Sequence, residues 1–233
     1  MRPDVFTVLV VCTGNLNRSA LGALLLDTWA RWYLPAPMTA HVRVTSAGLR
    51  APVGSPMARR SRVIAEALGA DGSAHVARQI TEETVRSADL VLVASRRQRD
   101  DVIALVPAAL RSTFTIREAG RIAETLPDLD PPASAEDLRA RVAAIAERRS
   151  AVRGDDDEDD IIDPQGKDDG AFLQMAREEV PSLTRIAGVL FDMPQAEKEA
   201  YVAAAEAGDF SFSAERGESP SDGRSRPRGR REA

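Results

Sequence analysis

Val5 to Val11 (VFTVLVV) is a nearly continuous run of apolar and β-branched residues near the amino terminus. A membrane span needs ~18–20 apolar residues, so the run is too short to be one. A half-buried strand would alternate with polar residues. A run without that alternation fits a strand covered on both faces, as in a parallel sheet. It ends abruptly at Cys12-Thr13-Gly14-Asn15-Leu16-Asn17-Arg18-Ser19. From Ser19 to Tyr33, Leu21, Leu24, Leu25, Thr28 and Trp32 recur near helical spacing, and Pro35 and Pro37 close the segment. The result is a strand–loop–helix unit whose polar loop sits at the strand's carboxyl end, where open α/β sheets place ligands.

The rest of the chain repeats the alternation. His41 to Thr45, closed by Ser46-Ala47-Gly48, reads as a second strand, Leu90 to Ala94 as a third and Thr113 to Ile116 as a fourth. Ser55 is a candidate cap for a helix opened by Pro56 and stopped by Gly69. Thr81 caps a short helix to Arg86, with Glu82 and Glu83 in its first turn. Further helices are read at Arg96–Val106, Asp137–Arg149 and Ala171–Phe191, the last with a break or kink expected at Pro181. The expected fold is α/β: a four-stranded parallel sheet flanked by helices on both faces, with a phosphate-binding loop after the first strand.

A length of 233 residues fits one domain with extras. Residues 1–193 read as the domain, with an acidic insertion at about 151–162. Residues 194–233 read as a polar, Arg-rich, disordered extension, with a short helix at Glu197–Ala207. Net charge is −5, which argues against nucleic acid as a partner of the whole protein. Asp155 to Asp160 reads DDDEDD, a solvated loop by composition. Its functional alternatives are a negative screen at the site mouth or a contact with the Arg224–Ala233 tail (RSRPRGRREA), weakened by salt. The tail itself reads as a solubilising extension. No segment reads as a membrane span or signal peptide, so a cytoplasmic protein is expected.

The loop Cys12 to Ser19 carries the chemistry. Five residues separate Cys12 from Arg18, a spacing that lets successive backbone N–H groups point into one concavity as the chain wraps into a helix. Gly14, and after it Asn15, are candidates for the positive φ that such a nest requires. The helix start adds its positive dipole end, and Arg18 a planar fork matched to two phosphate oxygens. Positive surroundings favour thiolate, the nucleophilic form of cysteine, and Ser19 can donate a hydrogen bond to it. Cys12 is the only cysteine, which rules out an internal disulfide or a cysteine-rich zinc site. His41 and His75, the only histidines, read as a strand start and a loop residue, and no metal cofactor is implied.

VCTGNLNRS resembles the phosphate loop of the low-molecular-weight protein tyrosine phosphatase family. TSAG at Thr45–Gly48, HVAR at His75–Arg78, ADLVLVAS at Ala88–Ser95, REAG at Arg117–Gly120 and Asp163–Pro164 follow in order, so the resemblance covers roughly residues 5–190. It implies a phosphotyrosine-containing protein as partner and no cofactor. It assigns Cys12 as a nucleophile that forms a phosphocysteine. Arg18 becomes the phosphoryl clamp and Ser19 the thiolate stabiliser. Asn15 shapes the loop that Thr13, Gly14, Leu16 and Asn17 complete. Asp163 is the general acid and then base, restricted to extended conformations by Pro164.

Several positions depart from the family pattern. Asn17 replaces a second cysteine that many members carry before the arginine, so oxidised Cys12 has no neighbouring thiol. Gln165 replaces the usual aromatic after Asp-Pro, and Leu49-Arg50-Ala51-Pro52 follows Gly48 where another aromatic wall is common. Lost stacking is worth ~0.5–1.5 kcal/mol per pair. Leu16 replaces the threonine of phosphoarginine-directed members and suits an aryl ring better. The alternatives left open are a phosphoarginine phosphatase, an arsenate reductase using an external small thiol, and a non-catalytic phosphate-binding adaptor.

Overall fold

The computed structural model describes residues 4–127, 129–152, 154 and 156–212, with backbone alone at 156 and 157. Strand β1 (Phe6–Cys12) is followed by helices α1 (Arg18–Tyr33) and α2 (Ala36–Thr39), then β2 (Val42–Gly48). Next come α3 (Arg59–Ala67), α4 (Glu82–Arg86), β3 (Leu90–Val93), α5 (Arg96–Leu105), β4 (Thr113–Thr115) and α6 (Ile116–Ala123). Helices α7 (Ala135–Arg148), α8 (Asp169–Phe191) and α9 (Gln195–Ala207) complete the described chain. The strands pair in parallel in the order β2-β1-β3-β4.

The doubly buried character of β1 has a direct cause. Phe6, Val8, Val10 and Cys12 face a large core built with α1, α6, α7 and α8, while Leu9 and Val11 face a smaller one built with α4 and α5. Both faces need apolar side chains, so alternation disappears from the sequence. Trp29 of α1 is fully buried in the large core, and its ring meets Tyr201 of α9 at a centroid distance of 4.8 Å.

Several expectations shift. The third helix starts at Arg59, because Pro56 bridges Val76 and the Ser55 carbonyl accepts from the Ala77 N–H (2.8 Å), holding that stretch extended. The fourth strand stops at Thr115, which caps α6 instead: its hydroxyl accepts from the Glu118 N–H and the Glu118 carboxylate accepts from the Thr115 N–H. That capping box, T-x-x-E, is written in the sequence at Thr115 and Glu118. Helix α8 runs through Pro181 unbroken, since Val180, Leu183, Ile186 and Ala187 are fully buried around it and their packing outweighs the ~3 kcal/mol proline penalty. Packing also continues beyond 193: α9 lies against α8, and Ala205 and Phe212 are buried. The boundary drawn at 193/194 therefore cuts through packed structure. The expected disordered tail, and its contact with the acid run, lie largely outside the described residues.

Helices α6 and α8 meet at Gly120, where a Cβ would stand 2.7 Å from the Ser182 Cα. Gly120→Ala would gain ~0.5–1 kcal/mol of helix propensity but force two backbones apart, at a cost of about 1–3 kcal/mol. Gly188→Ala in α8 would meet only the flexible end of Lys198 (3.2 Å). Urea unfolding should show Gly120→Ala less stable than wild type and Gly188→Ala equal to it or more stable.

Candidate active site

Strand β1 ends at Cys12 paired with Gly48, and α1 begins at Arg18. The chain turns between them at Asn15, whose φ is 55°, the positive region that asparagine tolerates better than most residues. Gly14 is not in that region, so the required turn falls on the second of the two candidates. Every polar group of Asn15 is used. Its N–H donates to Cys12 Sγ (3.3 Å), and its carbonyl pairs with His75 Nε2 (2.8 Å). Its Nδ2 donates to Ser19 Oγ (3.0 Å), and its Oδ1 accepts from the Arg78 N–H (2.9 Å).

Ser19 Oγ lies 2.9 Å from Cys12 Sγ. Because that oxygen already accepts from Asn15, its own hydrogen is free to point at the sulfur or, more distantly, at the Ala47 carbonyl (3.4 Å). The loop is braced from outside as well. The carbonyls of Cys12 and Thr13 accept from the N–H groups of Leu49 and Arg50, and Gln98 Nε2 donates to Thr13 Oγ1 (3.2 Å). A Cβ on Gly48 would lie 2.8 Å from the Thr13 oxygen, so only glycine lets this second loop approach so closely.

Arg18 is 5% exposed. Its Nη1 donates to the Ile161 carbonyl (3.0 Å), and its Nη2 lies 2.7 Å from Asp163 Oδ2. This contact joins two sequence-predicted residues 145 positions apart, and Asp163 remains half exposed. The segment before Asp163 is fastened residue by residue. Asp159 pairs with Arg121 (2.8 Å), Asp160 accepts from the Arg96 N–H, Ile161 N–H donates to the Ala94 carbonyl, and Ile162 N–H donates to Glu178. The end of the acid run is thus a structural strap, where composition suggested a solvated loop.

Behind α1 stands Glu179 of α8, fully buried and, among the described residues, without a hydrogen-bond partner on either oxygen. Burial pushes its carboxyl well above the usual carboxylate range, against the pull of the Arg18 charge. It demands glycine at position 22, where a Cβ would lie 2.7 Å from Oε1. Nothing in the motif pattern singled out Glu179 or Gln98. The His75 role had a local signal only in the HVAR resemblance.

A cavity of about 250 Å³ opens above the sulfur, lined by Cys12, Thr13, Gly14, Leu16, Asn17, Arg18, Pro52, Asp163 and Gln165. Asn15 and Ser19 are fully buried and are not among its lining residues. A neighbouring cleft of about 470 Å³ carries Arg50, Arg97, Asp101, Asp160 and Glu178. Among the described residues, no group of three or more His, Cys, Asp or Glu is placed to hold a metal. The arrangement can seat a tetrahedral oxyanion between sulfur and guanidinium, with a carboxyl group beside it.

Burial lowers the His75 pKa, and the Arg78 charge adds to that, against the opposing hydrogen bond to Asn15. The imidazole is therefore neutral near pH 7, and its Nε2–H donates to the Asn15 carbonyl. The unfolded chain takes up a proton near pH ~6.5, before the native one does. Stability should fall as pH drops through that value and level off once native His75 is protonated. His75→Gln keeps an N–H donor without titrating. Its unfolding free energy should fall less than that of wild type between pH 7 and pH 5.

Comparison with known proteins finds relatives in both sequence and fold. The family model for "Low molecular weight phosphotyrosine protein phosphatase" matches residues 7–151, a span that ends before Asp163. The chain is 31% identical over 144 residues to the low molecular weight protein-tyrosine-phosphatase Etp of Escherichia coli, covering 62% of this chain and 89% of that protein. It is 31% identical over 113 residues to a protein-arginine-phosphatase of Geobacillus stearothermophilus, covering 48% and 70%. The solved structure of the YwlE arginine phosphatase from Geobacillus stearothermophilus superposes with a TM-score of 0.55 at 24% identity, covering 84% of this chain and 96% of that one, which establishes the shared fold. On its sequence match and its architecture, the chain belongs to the low molecular weight phosphotyrosine protein phosphatase family.

Proposed function

We propose that the protein hydrolyses phosphotyrosine in other proteins through a phosphocysteine on Cys12. The observation that carries the reading is the convergence of Cys12, Arg18 and Asp163 on one cavity, the last from a distant part of the chain. In the first step the Cys12 thiolate attacks phosphorus, and the S–P bond forms as the bond to the tyrosine oxygen breaks. Asp163 delivers its proton to that leaving oxygen. In the second step water attacks phosphorus, Asp163 takes a proton from it, and the S–P bond breaks to release phosphate and thiolate.

Arg18 is assigned to the phosphoryl oxygens in both steps. An arriving phosphate competes with Asp163 for the same guanidinium. Binding therefore displaces the Asp163 carboxyl group from Arg18, and with a proton taken from solvent or from the phosphate monoester it turns towards the leaving oxygen. Ser19 and the Asn15 N–H are directed at the sulfur. Leu16 and Pro52 give the cavity an apolar side suited to an aryl ring. A second reading, phosphoarginine, is favoured by the likeness to a protein-arginine-phosphatase. Against it, Leu16 offers a guanidinium no hydrogen bond. A nucleophilic thiol without a partner cysteine supports a reducing, cytoplasmic setting.

Aryl phosphate and phosphotyrosine peptide hydrolysis, without metal, tests the assignment. Cys12→Ser should abolish turnover, and Asp163→Ala should lower kcat/KM by about 10²–10⁴-fold for a poor leaving group. Turnover surviving Cys12→Ser would contradict the reading. A phosphoarginine peptide cleaved faster than a phosphotyrosine peptide would replace the substrate.

A further inference from the structure

Two of the departures from the family pattern, Asn17 and Gln165, meet in space. Asn17 Nδ2 donates to Gln165 Oε1 (2.9 Å) across 148 residues of chain. Asn17 is 5% exposed, and its Oδ1 accepts from the fully buried Ser61 Oγ of α3 (2.8 Å), which fixes the amide from the far side. Gln165 also reaches the other way: its backbone N–H donates to Asp163 Oδ1 (3.2 Å). The turn it sits in is closed by the Lys167 N–H on the Pro164 carbonyl (3.0 Å), with Gly166 at φ 74°. One residue therefore holds the Asp163 carboxylate with its backbone and the phosphate loop with its side chain.

We propose that Gln165, latched to Asn17, is a positioning residue that sets Asp163 at the distance and angle needed for proton transfer to the leaving oxygen. This rests on the assignment of Asp163 as general acid. The strap from Asp159 to Ile162 fixes the segment on the amino-terminal side of Asp163, and the latch fixes it on the carboxyl-terminal side. With the latch released, Asp163 keeps its pairing with Arg18 but loses the contact that ties its turn to the phosphate loop. A general acid matters most when the leaving group is poor, so a misplaced acid costs rate selectively. A loss of loop structure would cost rate for all substrates alike.

The test is kcat/KM for a series of aryl phosphates with leaving groups of increasing pKa, since this constant covers the step in which the phenol departs. Wild type should depend weakly on leaving-group pKa. Gln165→Ala should depend more steeply, losing about fivefold more with the poorest leaving groups than with the best, the factor that one ordinary hydrogen bond supplies. Asn17→Ala, which also alters the phosphate loop, should steepen the dependence by the same factor whatever it costs all substrates alike, and the double variant should be no steeper than either. Gln165→Glu, which keeps an acceptor at the same reach, should retain the shallow dependence even if added negative charge lowers all rates together. Gln165 is exposed, so its variants decide the matter even if Asn17→Ala fails to fold. A steep dependence in Asp163→Ala with a shallow one in Gln165→Ala would overturn the latch alone. A shallow dependence in Asp163→Ala would overturn the acid assignment and the latch with it. Uniform loss across the series in Gln165→Ala would make the contact merely structural.

Discussion

The structure of the site depends on one buried asparagine. Asn15 has no exposure to solvent, takes a positive φ, and has each of its polar groups engaged. A buried amide left unpaired costs ~1–3 kcal/mol, so any movement of the loop that broke one of these bonds would be penalised. The bonds run to different parts of the chain. They reach the sulfur at the end of β1, the hydroxyl at the start of α1, and the His75–Arg78 segment after α3. The loop that can cradle a phosphate is therefore shaped from behind, before any ligand arrives, and its donors need no reorganisation to meet developing charge.

Arg18 is the second joint. Its side chain passes from the helix start, beside the buried Glu179 carboxyl, to the Ile161 carbonyl and the Asp163 carboxylate. It thus links the amino-terminal loop to the strap that delivers Asp163. The strap is fastened in turn by Arg121, by Ala94 directly after β3, and by Glu178 of α8. Two segments far apart in sequence are held at the rim of one small cavity by contacts that each use an ordinary hydrogen bond or ion pair.

The sheet and the loop were legible in the sequence because their causes are local. A doubly buried strand erases alternation, and a strand that breaks into C-T-G-N-L-N-R-S before a helix leaves few other arrangements. Asp163 was legible only through resemblance, since nothing local distinguishes it from other turn aspartates. His75, Gln98 and Glu179 were not legible, because their significance is set by partners brought close only when the chain folds. The acid run misled for the same reason: composition reports charge, and Asp159 is buried because Arg121 waits for it. Helix α6 is a different failure: Thr115 and Ile116 read as the end of a strand, although Thr115 and Glu118 form a capping box.

Trapping the covalent intermediate tests the central claim most directly. Wild-type protein mixed with a radiolabelled aryl phosphate, denatured rapidly during turnover and digested, should carry phosphate on the peptide containing Cys12. Steady turnover with no label on that peptide, or with label on another residue, would contradict an account in which the Asn15-shaped loop exists to present Cys12 sulfur to phosphorus.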